Sequence, residues 1–391
     1  MKQIFRSGLA LLLLIALLAL SGCSSEERAA YATGEDARLT LAAVGDIYLS
    51  DEMLEAALLP DGSYDFLTML SGSFSAISDA DISVGNFEGT FSGPPYGKAT
   101  GSYPDEFAGI LKNAGFDLLQ TANSYSINAG MTGLTRTKSV IEAQGMLSYG
   151  TFTDSDDRAQ NLVRVMEVNG IRVAFIAFTK SLNGLALPAG TESAVQLLYT
   201  DYMTNFNHID TDGIVATIKA AKKENPDVIV AGVHWGSENI KDITTSQNNI
   251  ADLMFRNGVD VILGTHSHIV SAVERRSVTT DDGKRKDVVL AYCLGDFCEV
   301  QPGECNSAPV LKLTFFKDGF TGEMTIEDVS FTPVVSVDMG EDAPMRYIML
   351  NVADSIRLYE NNYYDSVTRT LYETLQSRWD YLSERTGLPK E

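Results

Sequence analysis

The chain has 391 residues, enough for one large domain or two smaller ones, and 45% of them are hydrophobic, so a substantial core can form. Its formal net charge of -22 argues against nucleic-acid binding, since that binding requires basic surfaces. The same charge disfavours direct capture of a polyanionic polymer unless cations intervene.

The first residues predict a processing signal rather than a part of the fold. Two basic residues precede an apolar run from Leu9 to Leu20, and Leu20-Ser-Gly-Cys23 resembles a bacterial lipobox, in which the cysteine becomes the lipidated first residue. We therefore expect a lipoprotein signal peptide at residues 1–23, a lipid on Cys23 that anchors the chain to the membrane outside the cytoplasm, and a tether at 24–37. An uncleaved anchor is the alternative, but the apolar run is short for a full span.

Polar residues follow the first two predicted strands. Strand Leu39–Val44 is followed by Gly45-Asp46, and strand Asp81–Val84 by Gly85-Asn86-Phe87-Glu88. A carboxylate after a strand is well placed to bind a metal ion, although aspartate is also a common turn residue. The other elements predicted in this region are, in chain order, helices Glu52–Leu59, Phe66–Ile77 and Glu106–Ala114, strand Phe116–Thr121 and helix Thr132–Gln144.

Three of the four histidines lie at the ends of predicted strands. Strand Val228–Val233 ends at His234, and strand Val259–Leu263 is followed by Gly264-Thr-His266-Ser-His268. Ligands bind at this edge of open α/β sheets, and neutral imidazole is the commonest protein metal ligand. Ordinary loop histidines are the alternative, which we favour for one histidine but not for this group of three. Around them we predict strands Val163–Val168 and Ile171–Phe178 and helices Thr211–Lys223 and Ser246–Asn257.

The C-terminal part is predicted to contain β-hairpins followed by helices. The strands are Val270–Val278, Val288–Cys293, Val310–Phe316 and Phe320–Phe331, and the helices are Asn351–Tyr359 and Tyr364–Arg385. We interpret the helices as an extension, residues 336–391, that docks on a main domain, residues 38–335, and takes no part in a site. A disulfide between Cys298 and Cys305 stays open.

The order of the elements predicts an α/β (α+β) fold, because helices alternate with strands early and antiparallel hairpins follow. Carboxylates and imidazoles at the strand ends would then converge on one edge. A hydrolase with one or two metal ions requires such an edge, since the ions activate a water and stabilise the leaving oxygen.

At these positions the sequence resembles the CapA family of poly-γ-glutamate capsule biosynthesis proteins, over roughly Leu39 to Phe331. The shared motifs are Gly45-Asp46, Gly85-Asn-Phe-Glu88, Ala122–Gly130, His234-Trp-Gly-x-Glu238, Gly264-x-His-x-His-Ile-Val270 and Leu294-Gly-Asp-Phe297. The resemblance implies a four-layer β-sandwich flanked by helices, similar to calcineurin-like metallophosphatases. It also implies a cell-surface protein of capsule biosynthesis or export, with poly-γ-glutamate and a polymer synthase or export complex as partners.

Carried over residue by residue, the resemblance implies a site for one or two divalent ions, Mn, Zn or Fe. The ligands would be Asp46, Glu88, His234, His266 and His268, with Ser124 standing where the family has an Asn ligand. Three further residues would support these ligands, namely Asn86, Glu238 and Asp296, with Glu238 orienting a ligand histidine.

One motif departs from the family pattern. The family has Ala-Asn-Asn-His-x-x-Asp-x-Gly, and this chain has Ser124, Tyr125 and Asn128 in place of the second Asn, the His and the Asp. Asn123, Tyr125 and Asn128 are the candidate catalytic residues, but tyrosine is a poorer proton donor than histidine near pH 7. Loss of a histidine that acts as general acid costs roughly a hundred- to ten-thousandfold in rate.

The sequence therefore supports two hypotheses. The first is an extracytoplasmic metal-dependent hydrolase that acts on an amide or a phosphoester through a degenerate loop. The second is a catalytically inactive envelope protein that binds polymer or serves as a scaffold. A general nucleotidase is weaker, because Asp46 is followed by Ile47 and Tyr48 and the early Asp-x-His of such enzymes is missing.

Overall fold

The computed structural model describes residues 34–300, 305–364 and 366–390. The expected signal peptide, Cys23 and most of the expected tether lie outside the described residues. Residues 34–36 and Asp318–Glu323 belong to a small unit of their own, and the second unit comprises Ala37–Lys317 and Met324–Glu391. Among the described residues, no helix combines the length and the apolar character needed to cross a membrane.

The described chain alternates strands and helices up to about residue 265 and then continues mainly in strands. In chain order the elements are β1 (Ala37–Ile47), α1 (Asp51–Ala57), α2 (Phe66–Leu70), a 3-10 turn (Ser71–Ser73), α3 (Phe74–Ser78), β2 (Ile82–Phe87), α4 (Asp105–Ala114), β3 (Leu118–Gln120), α5 (Gly130–Ala143), β4 (Leu147–Tyr149), α6 (Ser155–Asn161), β5 (Arg164–Val168), β6 (Ile171–Thr179), α7 (Thr211–Lys223), β7 (Val228–His234), α8 (Thr245–Asn257), β8 (Val261–Thr265), β9 (Val273–Thr279), β10 (Arg285–Ala291), β11 (Cys305–Lys317), β12 (Met324–Asp338), β13 (Tyr347–Asn351), α9 (Val352–Glu360) and α10 (Arg369–Thr386).

Two mixed sheets organise these strands. The first has the order β13-β12-β11-β1-β2-β3-β4, and the second has the order β5-β6-β7-β8-β10-β9. Strands β1 to β4 are parallel to one another, as are β6, β7, β8 and β10. Crossover helices therefore connect strands whose carboxyl ends meet at one edge of each sheet.

Side-chain alternation along the strands builds the core in layers. In β1, Leu41 packs in one apolar cluster together with Phe175 of the second sheet, whereas the next residue, Ala42, packs in another with Phe107 of α4. In β7, Ile229 packs on the opposite side from Val230, in a cluster that holds residues of α7 and α8. Because successive strand residues face opposite sides, the order of layers is helix, sheet, sheet, helix. The predicted four-layer α/β sandwich is therefore confirmed.

The C-terminal segment differs in detail from the sequence prediction. Residue 335, where we expected the main domain to end, lies inside β12, and β13 adds an edge strand beyond it. The helices α9 and α10 follow and pack on β12, where Leu375 contacts the cluster around Val335. Cys298 is buried and forms no disulfide with a described side chain, and its Sγ lies 3.0 Å from the carbonyl oxygen of Tyr48.

Candidate metal centre

Five of the predicted ligands come together where parallel strands of both sheets end. Asp46 is the penultimate residue of β1, Glu88 follows β2 directly, and His234 is the last residue of β7. His266 follows β8 directly, with His268 two residues later. We call these five residues the histidine–carboxylate cluster.

Local backbone features aim two of these segments at the centre. The pairing of β1 with β2 shifts register between Ala43 and Asp46, an irregularity of the kind that re-aims a side chain at the end of a strand. His266 and His268 have φ angles of 93° and 61°, a left-handed region that non-glycine residues rarely occupy. Strained backbone of this kind concentrates at functional sites.

Gly264 lets the histidine loop approach the neighbouring strand closely. A Cβ atom at this position would lie 2.0 Å from the carbonyl oxygen of Tyr292. Upstream, helix α8 begins with a capping box between Thr244 and Gln247 and ends at Gly258, whose φ of 117° turns the chain toward β8. These two glycines therefore allow the turn into β8 and the close approach of the loop that follows it.

The first group of potential ligand atoms consists of Glu88, His234 and His266. One ligand atom from each of these residues lies within 4.8 Å of the other two. Glu88 Oε1 is 3.3 Å from His234 Nε2, and the rings of His234 and His266 have centroids 4.5 Å apart. Ser124 Oγ lies 3.0 Å from His234 Nε2, so the predicted Ser124 position also faces this group.

A second group consists of Asp46, Glu88 and His268, and it shares Glu88 with the first group. Its ligand atoms again lie within 4.8 Å of one another. Asp46 Oδ2 is 3.9 Å from His268 Nδ1, and Asp46 Oδ1 is 3.8 Å from His234 Nδ1. Two overlapping donor sets of carboxylate and imidazole are therefore present in one buried region.

Two buried polar atoms of the cluster have no hydrogen-bond partner among the described residues, namely Glu88 Oε2 and His266 Nδ1. A buried polar group without a partner costs about 1–3 kcal/mol. Both atoms are ordinary donors to divalent metal ions, so a bound cation would remove this cost. The residues present therefore fit a divalent metal ion.

The ligand side chains are held in place by a set of hydrogen bonds. Asn86 Nδ2 donates to Asp46 Oδ1 at 2.6 Å, and the backbone N–H of His266 donates to Asp46 Oδ2 at 3.0 Å. His234 Nδ1 lies 3.0 Å from Thr265 Oγ1. Such contacts fix the orientation of a ligand ring. Sequence reasoning missed Thr265, since no motif marks a hydroxyl residue for this role.

The histidines are contacted by Thr265 and Asp296 rather than by Glu238. Glu238 is exposed and, within the described chain, makes no hydrogen bond to any of the three histidines. Asp296 instead lies with its Oδ1 2.7 Å from Nδ1 of His268. An isolated bridge between Asp46 and Asp296 brings the two carboxylates to the same edge. Glu238 lines the cavity beside the cluster, and its proposed role in orienting a ligand histidine stays a prediction.

Burial shifts the pKa values of the carboxylates upward. The pKa of Asp46 rises to about 6, mainly because the group is buried and also because Glu88 lies nearby. Burial raises the pKa of Glu88 to about 7. A buried carboxylate prefers its neutral form unless a positive charge is close, so a cation would draw both groups into their ionised forms.

The histidines have contrasting pKa values. Burial lowers the pKa of His234 to about 4, and burial with the proximity of His234 lowers that of His266 to about 2. Both rings are therefore neutral at pH 7, the form in which imidazole binds metals. Burial also acts to lower the pKa of His268, but its hydrogen bond to Asp296 and the negative charges of Asp296, Glu88 and Asp46 raise it to about 10.

The three candidate catalytic residues of the loop Ala122–Gly130 lie in different surroundings. Asn123 is buried, and its Nδ2 donates to the carbonyl oxygen of Phe87 at 2.6 Å, which positions the segment before Glu88. Tyr125 lines the cavity next to Glu88. Asn128 donates from its side chain to the carbonyl oxygen of Thr100 at 3.3 Å and does not line this cavity. The catalytic role predicted for Asn128 thus lacks support from its position.

A cavity of about 400 Å³ leads to the cluster and is lined by Glu88, His268 and Asp296. Tyr48, Lys98 and Glu299 also line it, as do Arg378 and Tyr381 of α10. Helix α10 therefore reaches the cavity, a contact that the sequence analysis did not expect. No sequence motif pointed to Arg378, because its position depends on how α10 docks.

Together, the fold and the cluster define a two-sheet α/β protein with a candidate metal centre at the converging ends of its parallel strands. The sequence model of the bacterial capsule synthesis protein family PGA_cap matches residues 40–301. The chain belongs to this family.

Two relatives illustrate the family resemblance. The chain is 26% identical to the capsule biosynthesis protein CapA of Bacillus anthracis over 272 residues, which are 67% of this chain and 60% of that protein. It is 27% identical to the PGA biosynthesis protein CapA of Bacillus subtilis strain 168 over 189 residues, which are 48% of this chain and 44% of that protein. The matched segment thus spans about half the length of these curated relatives.

Solved structures show weaker similarity. A novel phosphatase from Mycoplasma pneumoniae aligns with a TM-score of 0.44 and 15% identity over 84% of this chain and 99% of that one. A hypothetical protein from Thermus thermophilus aligns with a TM-score of 0.44 and 13% identity over 75% of this chain and 98% of that one. With TM-scores this low, the family assignment rests on the sequence matches.

Proposed function

We propose that the protein is a lipid-anchored envelope component of capsule biosynthesis or export, of the CapA type, with a hydrolase-type centre for one or two divalent ions. The observation that carries the proposal is the pair of orphaned buried atoms, Glu88 Oε2 and His266 Nδ1, inside a cluster of five metal-binding side chains. Family membership supports the link to capsule synthesis. The Bacillus subtilis relative is named a PGA biosynthesis protein, and the resemblance to the CapA family suggests poly-γ-glutamate as the polymer and a synthase or export complex as the partner.

The residues proposed to hold the metal are Asp46, Glu88, His234, His266 and His268, with Ser124 beside them. A bound Mn, Zn or Fe ion would supply polarisation of an amide carbonyl or a phosphoryl oxygen. His234 and His266 are already neutral at pH 7, so they can bind a cation without losing a proton. Asp46 and Glu88 have pKa values of about 6 and about 7, so each releases part of a proton when a cation binds near neutral pH.

Proton donation to a leaving group is the weak point of this centre. Tyr125 stands where the family has a histidine, and burial followed by the charge of Glu88 raises its pKa above the ordinary value of 10. The phenol therefore stays protonated at neutral pH and is a poor general acid there. Asn123 holds the backbone beside Glu88 and does not replace the missing histidine.

The same loop supports a second candidate function, a catalytically inactive binding or scaffold protein of the envelope that keeps the metal centre. Ser124 faces His234, Tyr125 faces the cavity, and Asn128 is turned toward Thr100, so none supplies the chemistry of an Asn-His-Asp set. In this case the metal would shape a polymer-binding surface without turnover.

Elemental analysis of purified protein, expressed with Mn, Zn and Fe supplied, tests the metal centre. We expect one or two ions per chain in the parent and fewer in His266→Ala. Metal-free protein under these conditions would reject the proposal. The variant Cys23→Ser should move from the membrane fraction to the soluble fraction if the lipid anchor is correct.

Hydrolytic assays separate the two candidate functions. The parent and a triple variant with Ser124→Asn, Tyr125→His and Asn128→Asp are incubated with bis-p-nitrophenyl phosphate and with poly-γ-glutamate. Turnover by the metal-loaded parent supports the hydrolase. Turnover that appears only in the triple variant supports the inactive binding protein.

A further inference from the structure

We propose that Arg378, together with the hydroxyl of Ser307, forms an anion-binding subsite in the cavity, so that the substrate carries a carboxylate or phosphate group. This inference rests on the proposed function, because it takes the cavity beside the histidine–carboxylate cluster to be where the substrate binds. It adds two residues that bind the anionic group of such a substrate. Arg378 also lies outside residues 40–301, which the family model matches.

Arg378 differs from the other cations that line the cavity. Lys98 Nζ lies 4.0 Å from Glu299 and 5.3 Å from the centre of the Tyr48 ring. His268 Nδ1 pairs with Asp296 Oδ1 at 2.7 Å. The guanidinium of Arg378 has neither an ion pair nor a hydrogen bond with any described residue, although the side chain is partly buried and lines the cavity. A planar guanidinium binds carboxylate or phosphate through two parallel N–H bonds.

Ser307 provides an independent observation. Ser307 is only 6% exposed, and its Oγ is a buried atom without a hydrogen-bond partner in the part of the chain that the structure describes. Ser307 lines the same cavity as Arg378. A buried hydroxyl without a partner is costly, and a ligand oxygen in the cavity would remove that cost.

The docking of α10 holds Arg378 in place. Leu382 is fully buried and packs with Val270 and Phe331, and Arg385 Nε donates to the carbonyl oxygen of Val270 at 2.8 Å. Arg378, Leu382 and Arg385 follow one another at helical spacings of four and three residues, so they share one face of α10. That face contacts the loop that carries His268, and the position of the guanidinium is therefore coupled to the cluster.

The charge of the whole protein gives no long-range attraction for an anionic substrate. With a net charge of -22, the protein repels anions at long range. Glu88, Glu238, Asp296 and Glu299 add local negative charge around the cavity. An anionic substrate must therefore be recognised at short range, by a fixed guanidinium and by bound metal.

Calorimetric titration of the full-length protein tests the subsite with two probes, tri-γ-glutamate and inorganic phosphate, each with and without EDTA. The variants are Arg378→Gln, Arg378→Lys and Ser307→Ala. Arg369→Gln is the matched control, since it removes the same charge from the exposed face of the same helix, where Arg369 pairs with Glu373.

We expect Arg378→Gln to weaken binding of at least one probe by roughly ten- to a hundredfold, the cost of a charge-assisted bidentate contact. Arg378→Lys should retain part of the affinity, Ser307→Ala should lose about threefold to tenfold, and Arg369→Gln should match the parent. The probe that loses affinity identifies the anion as carboxylate or phosphate.

Two results would overturn the proposal: equal affinity of the parent and Arg378→Gln for both probes, or no binding of either probe to the parent up to about 10 mM. Elemental analysis of the same samples distinguishes failure of the metal centre from failure of the anion-binding subsite. Binding that depends on Arg378 in a metal-free parent would reject the metal centre and keep the subsite. A metal-loaded parent whose anion binding is independent of Arg378 would keep the metal centre and reject the subsite.

Discussion

Glu88→Gln offers a direct test of the metal centre, because Glu88 belongs to both groups of ligand atoms. Its side chain is 3% exposed, its Oε2 has no hydrogen-bond partner within the described residues, and its Oε1 lies 3.3 Å from His234 Nε2. A residue that serves only the fold would not keep a buried carboxylate with an orphaned oxygen. We therefore expect the substitution to stabilise the metal-free protein and to weaken metal binding.

The magnitude follows from the pKa of Glu88. Burial raises it from 4.5 to about 7, and each pH unit is worth about 1.4 kcal/mol, so ionised Glu88 destabilises the metal-free fold by about 3 kcal/mol. Because the pKa of Glu88 is higher in the folded state than in the unfolded state, the parent loses about 3 kcal/mol of stability as the pH rises from about 4.5 to about 7. The free energy of unfolding of Glu88→Gln should match the parent near pH 4 and exceed it by about 3 kcal/mol near pH 8.

The assay is urea unfolding in EDTA at several pH values, followed by the same titration with Mn²⁺. Metal at about a hundred times its Kd should stabilise the parent by about 2.7 kcal/mol and Glu88→Gln by much less. Glu238→Gln is the control, since Glu238 lines the same cavity but is exposed, and we expect a change within about 0.5 kcal/mol. Equal stability of Glu88→Gln and the parent near pH 8, together with equal stabilisation by Mn²⁺, would refute this account of Glu88.

Three further predictions concern the ligands, their support and the docking of α10. Metal affinity should rise between about pH 5 and pH 8, because Asp46 and Glu88, with pKa values of about 6 and about 7, must be ionised to bind; a flat profile in Mn²⁺ titrations would contradict it. Asp296→Asn should lower the pKa of His268 from about 10 in metal-free protein, because it removes the carboxylate 2.7 Å away; NMR titration of the ring proton measures this pKa, and an unchanged value would count against the pairing. Leu382→Ala should lower the free energy of unfolding by about 2–5 kcal/mol, because the side chain is fully buried against Val270, whereas Leu358→Ala, at a 40% exposed position, should cost less than about 1 kcal/mol.

The strand ends of the candidate site could be predicted from local sequence. Apolar runs identify strands by themselves, and polar residues directly after them must lie at the strand ends. Asp46, Glu88, His234 and His266 all follow such runs, and the structure brings them together. Alternation of strands and helices further implies parallel pairing, which is why one edge could be inferred from a linear pattern.

Breaks within a predicted helix could not be predicted from the sequence. Helical spacing over Phe66–Ile77 indicated one helix, but the structure has a 3-10 turn at Ser71–Ser73. A Cβ atom on Gly72 would lie 2.3 Å from the carbonyl oxygen of Met349, so the turn allows the chain to approach β13 closely. That contact joins residues almost 280 positions apart, and no local pattern encodes it.

The sequence by itself determined the class of fold, the strand ends and the residue types that gather there, because these depend on periodicity within short segments. Only the tertiary structure decided that Thr265 contacts His234, and that Asp296 and Ser124, both named from the family resemblance, contact His268 and His234. The distance and direction of these contacts depend on packing. The tertiary structure also decided that Arg378 faces the cavity, because that position is set by Leu382 and Arg385 docking on Val270, more than a hundred residues away. Side-chain contacts between distant segments follow from the packing of whole layers, which no single stretch of sequence contains.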